Sequence, residues 1–140
     1  MIGSANLANE AKDMIVPVLV SFETGEQLTA MNRIYPPPSV DWELVAGRYE
    51  VVKALAGTDA GTVDIKDDAG SVAVTQLSLA ASTALGTRGT FTVNTTARRV
   101  RAGAGQANQF HTITTAKATA GGRVQLWLTY RRVRPNAPLP

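Results

Sequence analysis

Hydrophobic and polar residues alternate along most of this chain, and no stretch reads as a long helix. The run at 48–55 is the cleanest. Tyr49, Val51 and Leu55 fall on one face with Lys53, while Arg48, Glu50, Val52 and Ala54 fall on the other. Residues 62–66 repeat the pattern, with Val63 and Ile65 inward and Asp64 and Lys66 outward. At 123–133, Val124, Leu126, Leu128 and Tyr130 define a core face, and Gln125, Trp127, Thr129 and Arg131 an outer one. Shorter or weaker runs at 15–22, 27–35, 71–80, 90–94, 98–101 and 110–115 bring the predicted set to about eight to ten strands.

Turn signals recur roughly every ten residues: Thr24-Gly25, GTDAG at 57–61, Asp67-Asp68-Ala69-Gly70, 86–89, AGAGQAN at 102–108, and Gly121-Gly122. Many short strands with regular turns predict a β-sandwich or barrel. Within 71–80 the apolar phase changes, from Val72 and Val74 to Leu77 and Leu79. That predicts either a bulge near Thr75-Gln76 or a strand passing between two sheets. The expected fold is therefore all-β, a jelly-roll-like β-sandwich with an extended N-terminal arm. The arm covers residues 1–14, one sandwich domain covers 15–134, and an extended tail covers 135–140. Pro17 places its strand on a sheet edge. The Pro-rich segment at 35–39 reads as a stiff crossover, although a ligand for an aromatic groove has the same composition.

Composition changes this picture little. A chain of 140 residues buries about 70% of its extended surface in one domain. The absence of cysteine removes disulfides, thiolate metal sites and a cysteine nucleophile. No run approaches the ~20 apolar residues of a membrane-spanning helix, and the first residues lack the basic start and apolar stretch of a signal peptide. Charge changes the picture more. All eleven acids lie between Glu10 and Asp68, and the rest of the chain carries nine Lys or Arg. The first 70 residues are therefore about −6 and the remainder about +9, behind a formal net charge of +3. Such asymmetry points to a nucleic-acid contact, a membrane contact or a charge-matched assembly.

Nothing in the sequence assembles a catalytic site, and neither an enzyme activity nor a cofactor is expected. His111 is the single histidine. On its strand it shares a face with Ile113, where packing is the ordinary role, and no second histidine or cysteine exists to complete a zinc site. Asp64, Asp67 and Asp68 are close enough to hold Ca²⁺ with loop carbonyls, but their spacing is not that of an EF-hand and acidic hairpin turns are ordinary. AGAGQAN lacks the lysine and hydroxyl of a P-loop. The arginine clusters Arg98, Arg99, Arg101 and Arg131, Arg132, Arg134 say more, together with Trp127 beside Arg131. An arginine and aromatic surface suits single-stranded nucleic acid or a protein interface. The acidic first half opposes a simple nucleic-acid footprint, and charge matched across subunits favours register and partner choice.

The progression RYEVVKALAGTDAGTVDIKD, VAVTQLSLAAS, GTRGTFT, RRVRAGAGQANQF and GGRVQLWLTYRR spans roughly residues 48–132. It resembles small structural proteins of tailed-bacteriophage virions, the capsid decoration (cement) proteins and head-fibre bases. The resemblance implies a compact sandwich or jelly roll with a short N-terminal arm, trimers on the capsid surface and no active site; it maps no individual functional residue. The expected function is a virion structural protein that self-associates, with a trimer favoured, and clamps onto the major capsid protein at the capsid surface. No membrane partner and no direct nucleic-acid contact are expected. Tyr35, Trp42, Arg98, Arg99, Arg101, Trp127, Arg131, Arg132 and Arg134 are the expected interface residues. The alternatives are a nucleic-acid-binding β-domain using the basic half, and a carbohydrate-binding or adhesion module stacking sugars on Trp42, Trp127 and tyrosines.

Overall fold

The computed structural model describes residues 13–23, 25–26, 32–36, 40–101, 108–117 and 121–133. Within them the chain forms nine strands and no helix: β1 (Asp13–Ser21), β2 (Asn32–Ile34), β3 (Asp41–Lys53), β4 (Gly61–Lys66), β5 (Ala73–Leu79), β6 (Arg88–Phe91), β7 (Arg99–Val100), β8 (His111–Lys117) and β9 (Arg123–Val133).

The order of pairing explains the architecture. β4 pairs β5, β3 pairs β6 and then β7, β2 pairs β8, and β1 pairs β9, all antiparallel. These are the nested rungs of one long ribbon folded back at the β4–β5 turn. Rolling the ribbon brings β9 against β3 and β8 against β4. Two sheets result, β1-β9-β3-β6 with β7 beside β6 on the same strand, and β2-β8-β4-β5. A ribbon wound in this way is a jelly roll. The all-β sandwich read from the alternation is therefore the fold of this chain, with β6 and β7 as two short pieces of one edge. Pro17 lies on edge strand β1, where its missing N–H need not interrupt a ladder.

The core lies between the sheets. Met14, Val16, Val18 and Val20 of β1 stand opposite Tyr130, Leu128, Leu126 and Val124 of β9. Those in turn stand opposite Leu44, Gly47, Tyr49 and Val51 of β3. Val63, Ile65, Val74, Leu77, Leu79 and Ile113 close the layer from the second sheet. Each fully buried Val, Leu or Ile contributes roughly 1.5–3 kcal/mol relative to exposure.

Several expected boundaries change. The strand predicted at 48–55 starts at Asp41, because Val45 is an extra residue between the Leu44 and Ala46 pairings and breaks the alternation upstream. A second extra residue, Val52, turns Lys53 to the outer face instead of leaving it with Tyr49 and Val51. The phase change in 71–80 is a bulge. Val74 is the extra residue there, so Val74 and Thr75 are both buried and Leu77 and Leu79 resume inward. Arg88 and Gly89, read as loop, belong to β6. Residues 13 and 14 belong to β1, which shortens the expected arm. The remainder of that arm, the 102–107 loop, Pro37, Pro38 and Ser39 of the Pro-rich segment, Arg134 and the 135–140 tail lie outside the described residues.

Two glycines earn their places by contact. Gly47 faces Phe91 and Gly89 faces Tyr49 in directly opposed cross-strand pairs. The Phe91 ring lies where a Cβ on Gly47 would be, and the Tyr49 hydroxyl would sit 2.8 Å from a Cβ on Gly89. Each ring thus covers the bare backbone of the opposite strand. Gly47→Ala is expected to lose about 1–3 kcal/mol by displacing Phe91 from the core margin, and Gly47→Ala/Phe91→Leu to regain part of it. Urea midpoints measure both; an unchanged midpoint in the single variant would refute the packing argument.

Candidate interaction surface

Directly opposed residues share a face, so the register lays out the outer face of the first sheet row by row. One row runs Asp13, Arg131, Glu43, Arg99 across β1, β9, β3 and β7. The next are Ile15, Thr129, Ala46; then Pro17, Trp127, Arg48, Thr90; then Leu19, Gln125, Glu50, Arg88; and last Ser21, Arg123, Lys53. Charge concentrates in the end rows, and the β1 side of the middle is apolar.

The ion pairs answer the question raised by the divided charge. Glu43 meets Arg99 at 2.8 Å and Arg98 at 3.7 Å. Asp41 meets Arg101 at 3.3 Å, and Asp13 meets Arg131 at 3.5 Å. Glu50 meets Arg88 at 3.1 Å, Glu26 meets Arg123 at 3.1 Å, and Glu23 meets Lys53 at 2.5 Å. Every acid here comes from the first half, and every base except Lys53 comes from the acid-free half. The ribbon causes this, because it pairs early strands with late ones. Glu23 is held below its ordinary range first by the hydrogen bond from Lys53 and then by the Gly122 N–H. Glu26 is held down first by the Ser21 hydroxyl and then by Arg123.

The expected interface residues separate into three groups. Trp42 is 9% exposed and packs in the core, and Arg99 is 5% exposed beneath Glu43. Both are therefore corrected from interface residues to interior ones; the upstream bulge hid the inward phase of Trp42. Arg98 and Arg101 are held by Glu43 and Asp41 at the same end of the sheet. Arg132 stands opposite Trp42 at the end of β9 and is half-buried. Tyr35, Trp127 and Arg131 reach the surface. Tyr35 is 61% exposed, and its ring centroid lies 5.0 Å from that of Phe110. Arg33 lies over Phe110 and donates to the Tyr35 hydroxyl at 2.9 Å.

Sequence reading missed the groove around Trp127. Arg48, Tyr49, Glu50, Arg88, Gly89 and Trp127 line an open cavity of about 300 Å³. The Arg48 guanidinium lies over the indole, 5.8 Å from the ring centroid. The signal was present in the alternation, which put Arg48 and Glu50 on an outer face, but only the β3–β9 register places Trp127 opposite Arg48.

The three aspartates considered for Ca²⁺ are engaged separately. Asp67 Oδ1 accepts from the Ser71 and Val72 N–H groups, Asp68 Oδ2 from Gln109 N–H, and Asp64 Oδ1 from the Gln76 amide. Among the described residues no group of three acidic, histidine or cysteine ligands converges on one point. His111 is fully buried. Its Nδ1 lies 2.8 Å from the Tyr130 hydroxyl and its Nε2 lies 3.0 Å from the Ala97 carbonyl.

No protein-family profile matches the sequence, and comparison with curated proteins gave no match. Among solved structures the chain is similar to a protein of Bacillus endospore appendages, described as a novel family of disulfide-linked pili. The TM-score is 0.44 at 17% identity, over 89% of this chain and 90% of that one. Among the described residues no helix is long and apolar enough to cross a membrane.

Proposed function

We propose that the protein is a structural subunit of a tailed-bacteriophage virion, of the capsid-decoration type, that self-associates and docks on the assembled shell. The observation that carries this reading is an uncovered apolar edge. Ile15 and Leu19 on β1 are 54% and 57% exposed, with Pro17 between them and Trp127 opposite Pro17. A nine-residue edge strand with outward Ile and Leu is a template for another chain. Pro17 removes a donor near its centre, which favours side-chain packing over open-ended ladder growth.

The charge pattern supports the same reading. Arg98, Arg99 and Arg101 are matched within the chain, so the first basic cluster is not an open anionic-polymer track. The first cluster therefore lends the nucleic-acid alternative no support. The mechanism is passive: burial of about 1,600 Å² per contact suffices for a specific interface, and several copies on one shell add avidity. A trimeric state, a capsid-protein partner and a location on the capsid surface are parts of this proposal.

The test is co-sedimentation with undecorated shells of the capsid protein from the same genome, alongside light scattering of the free protein. The wild type is expected to bind shells and to oligomerise. Leu19→Lys is expected to keep its fold, as read by circular dichroism, and to lose shell affinity by about tenfold or more, the value of one buried leucine. A protein that is monomeric throughout and ignores shells would overturn the proposal.

A further inference from the structure

Among the described residues, Asp59 is the one carboxylate with neither an ion pair nor a hydrogen bond; every other is engaged as set out above. It is exposed in the β3–β4 loop, within Gly57-Thr58-Asp59-Ala60-Gly61, a run of small residues with Gly57 at a φ of 102°. No bulky side chain flanks it, so the loop presents a carboxylate on a slim projection.

The complementary feature is the Trp127 groove. Arg48 is exposed and has no carboxylate partner among the described residues. A cation–π contact with the indole holds the guanidinium at the groove without using its N–H donors, which remain for a carboxylate. Arg88, with its side chain 75% exposed, stands at the same groove 3.1 Å from Glu50. Two guanidinium groups against one carboxylate leave the groove with one positive charge in excess. Trp, Tyr and Arg around a concavity are also the residue types in which binding energy concentrates at protein interfaces. Glu50 at the centre opposes a phosphate backbone, and Arg48 already covers the indole on which a sugar ring would stack.

We infer that the groove receives the Asp59 loop of a second copy of this chain, with Asp59 pairing to Arg48. This rests on the proposed self-association and specifies its contact. The contact is heterologous, a groove on one copy meeting a loop on the next, and such contacts close into rings when the rotation between copies allows. Asp59 and Arg48, which folding leaves without an opposite charge among the described residues, are thereby matched by assembly, which sets direction and register.

Charge reversal tests the inference. Asp59→Arg and Arg48→Glu alter exposed side chains outside the core, and circular dichroism and thermal melting verify their folds. Light scattering is expected to show an oligomer for the wild type and at least about tenfold weaker association for each single variant. Asp59→Arg/Arg48→Glu in one chain is expected to restore the wild-type mass. A mixture of the two single variants is expected to associate more strongly than either variant alone. An oligomer indifferent to either single change overturns this contact and leaves self-association standing. A double variant that fails to recover also overturns it, and points to an acidic group of another molecule on Arg48. A wild type that is monomeric overturns both.

Discussion

Glu43→Ala is expected to cost about 3–5 kcal/mol of folding stability, the loss typical when one partner of a buried ion pair is removed. Glu43 has 12% of its side chain exposed and holds Arg99, itself 5% exposed, and Arg98, 26% exposed. Removing the carboxylate leaves one guanidinium in the interior and a second half-buried, neither able to shed its proton at accessible pH. The penalty belongs to a desolvated charge deprived of its carboxylate more than to the lost bond. Glu43→Ala/Arg99→Met is therefore expected to recover at least half of the loss, because an apolar side chain of similar length has no charge to solvate. Urea denaturation of the wild type and both variants measures this. If the double variant is no more stable than the single, the loss comes from the missing packing of Glu43, and the buried-charge account is wrong.

The second large effect is pH-dependent and belongs to His111. Its Nε2 faces the Ala97 carbonyl, which can only accept, so that nitrogen carries the hydrogen and Nδ1 accepts from the Tyr130 hydroxyl. Burial is the main cause that lowers the imidazole from 6.5 to about 4, and burial likewise raises the Tyr130 phenol. A depressed histidine stays neutral in the fold while the unfolded chain takes up the proton. The unfolded state thus binds more protons between about 4 and 6.5, and stability falls as pH drops through that window. The full loss is about 3 kcal/mol, and about 2 kcal/mol of it falls between pH 7 and pH 5. Lowered carboxylates such as Glu23 and Glu26 also lose their contribution in acid, but chiefly below the ordinary glutamate value of 4.5. The upper part of the window therefore isolates the histidine. His111→Gln, which can still donate to Ala97 and accept from Tyr130, is expected to flatten the stability profile there. Equal slopes for the wild type and His111→Gln between pH 7 and pH 5 would sink the assignment.

The role of His111 illustrates what a pattern of residues conveys. Alternation placed it on the same face as Ile113, and both are buried. It did not reveal that the ring joins the two sheets, because Tyr130 and Ala97 reach it only after the ribbon is rolled. Trp42 shows the converse failure. A single extra residue at Val45 hid its phase, and an exposed aromatic was expected where a core residue stands. Trp127 was placed on an outer face, and it lies there, but its neighbours Arg48, Glu50 and Arg88 come from strands distant in sequence. The β1 strip was legible as an edge from Pro17, while the exposure of Ile15 and Leu19 follows from the register with β9.

By itself, then, the sequence determined most of the strands, their apolar faces and the turns between them, because each depends on contacts within about ten residues and on the period-two geometry of a strand; that the phase change in β5 is a bulge, and not a passage between sheets, came from the register with β4. The tertiary structure alone decided where the charges meet. An acid-rich half and an acid-free half read as two surfaces along the chain. The jelly-roll ribbon pairs the first strand with the last and the third with the sixth, seventh and ninth. Asp13, Asp41, Glu43 and Glu50 consequently neutralise Arg131, Arg101, Arg98, Arg99 and Arg88 within one copy. Strand pairing is a long-range property, and a charge acquires its partner only when that pairing is made.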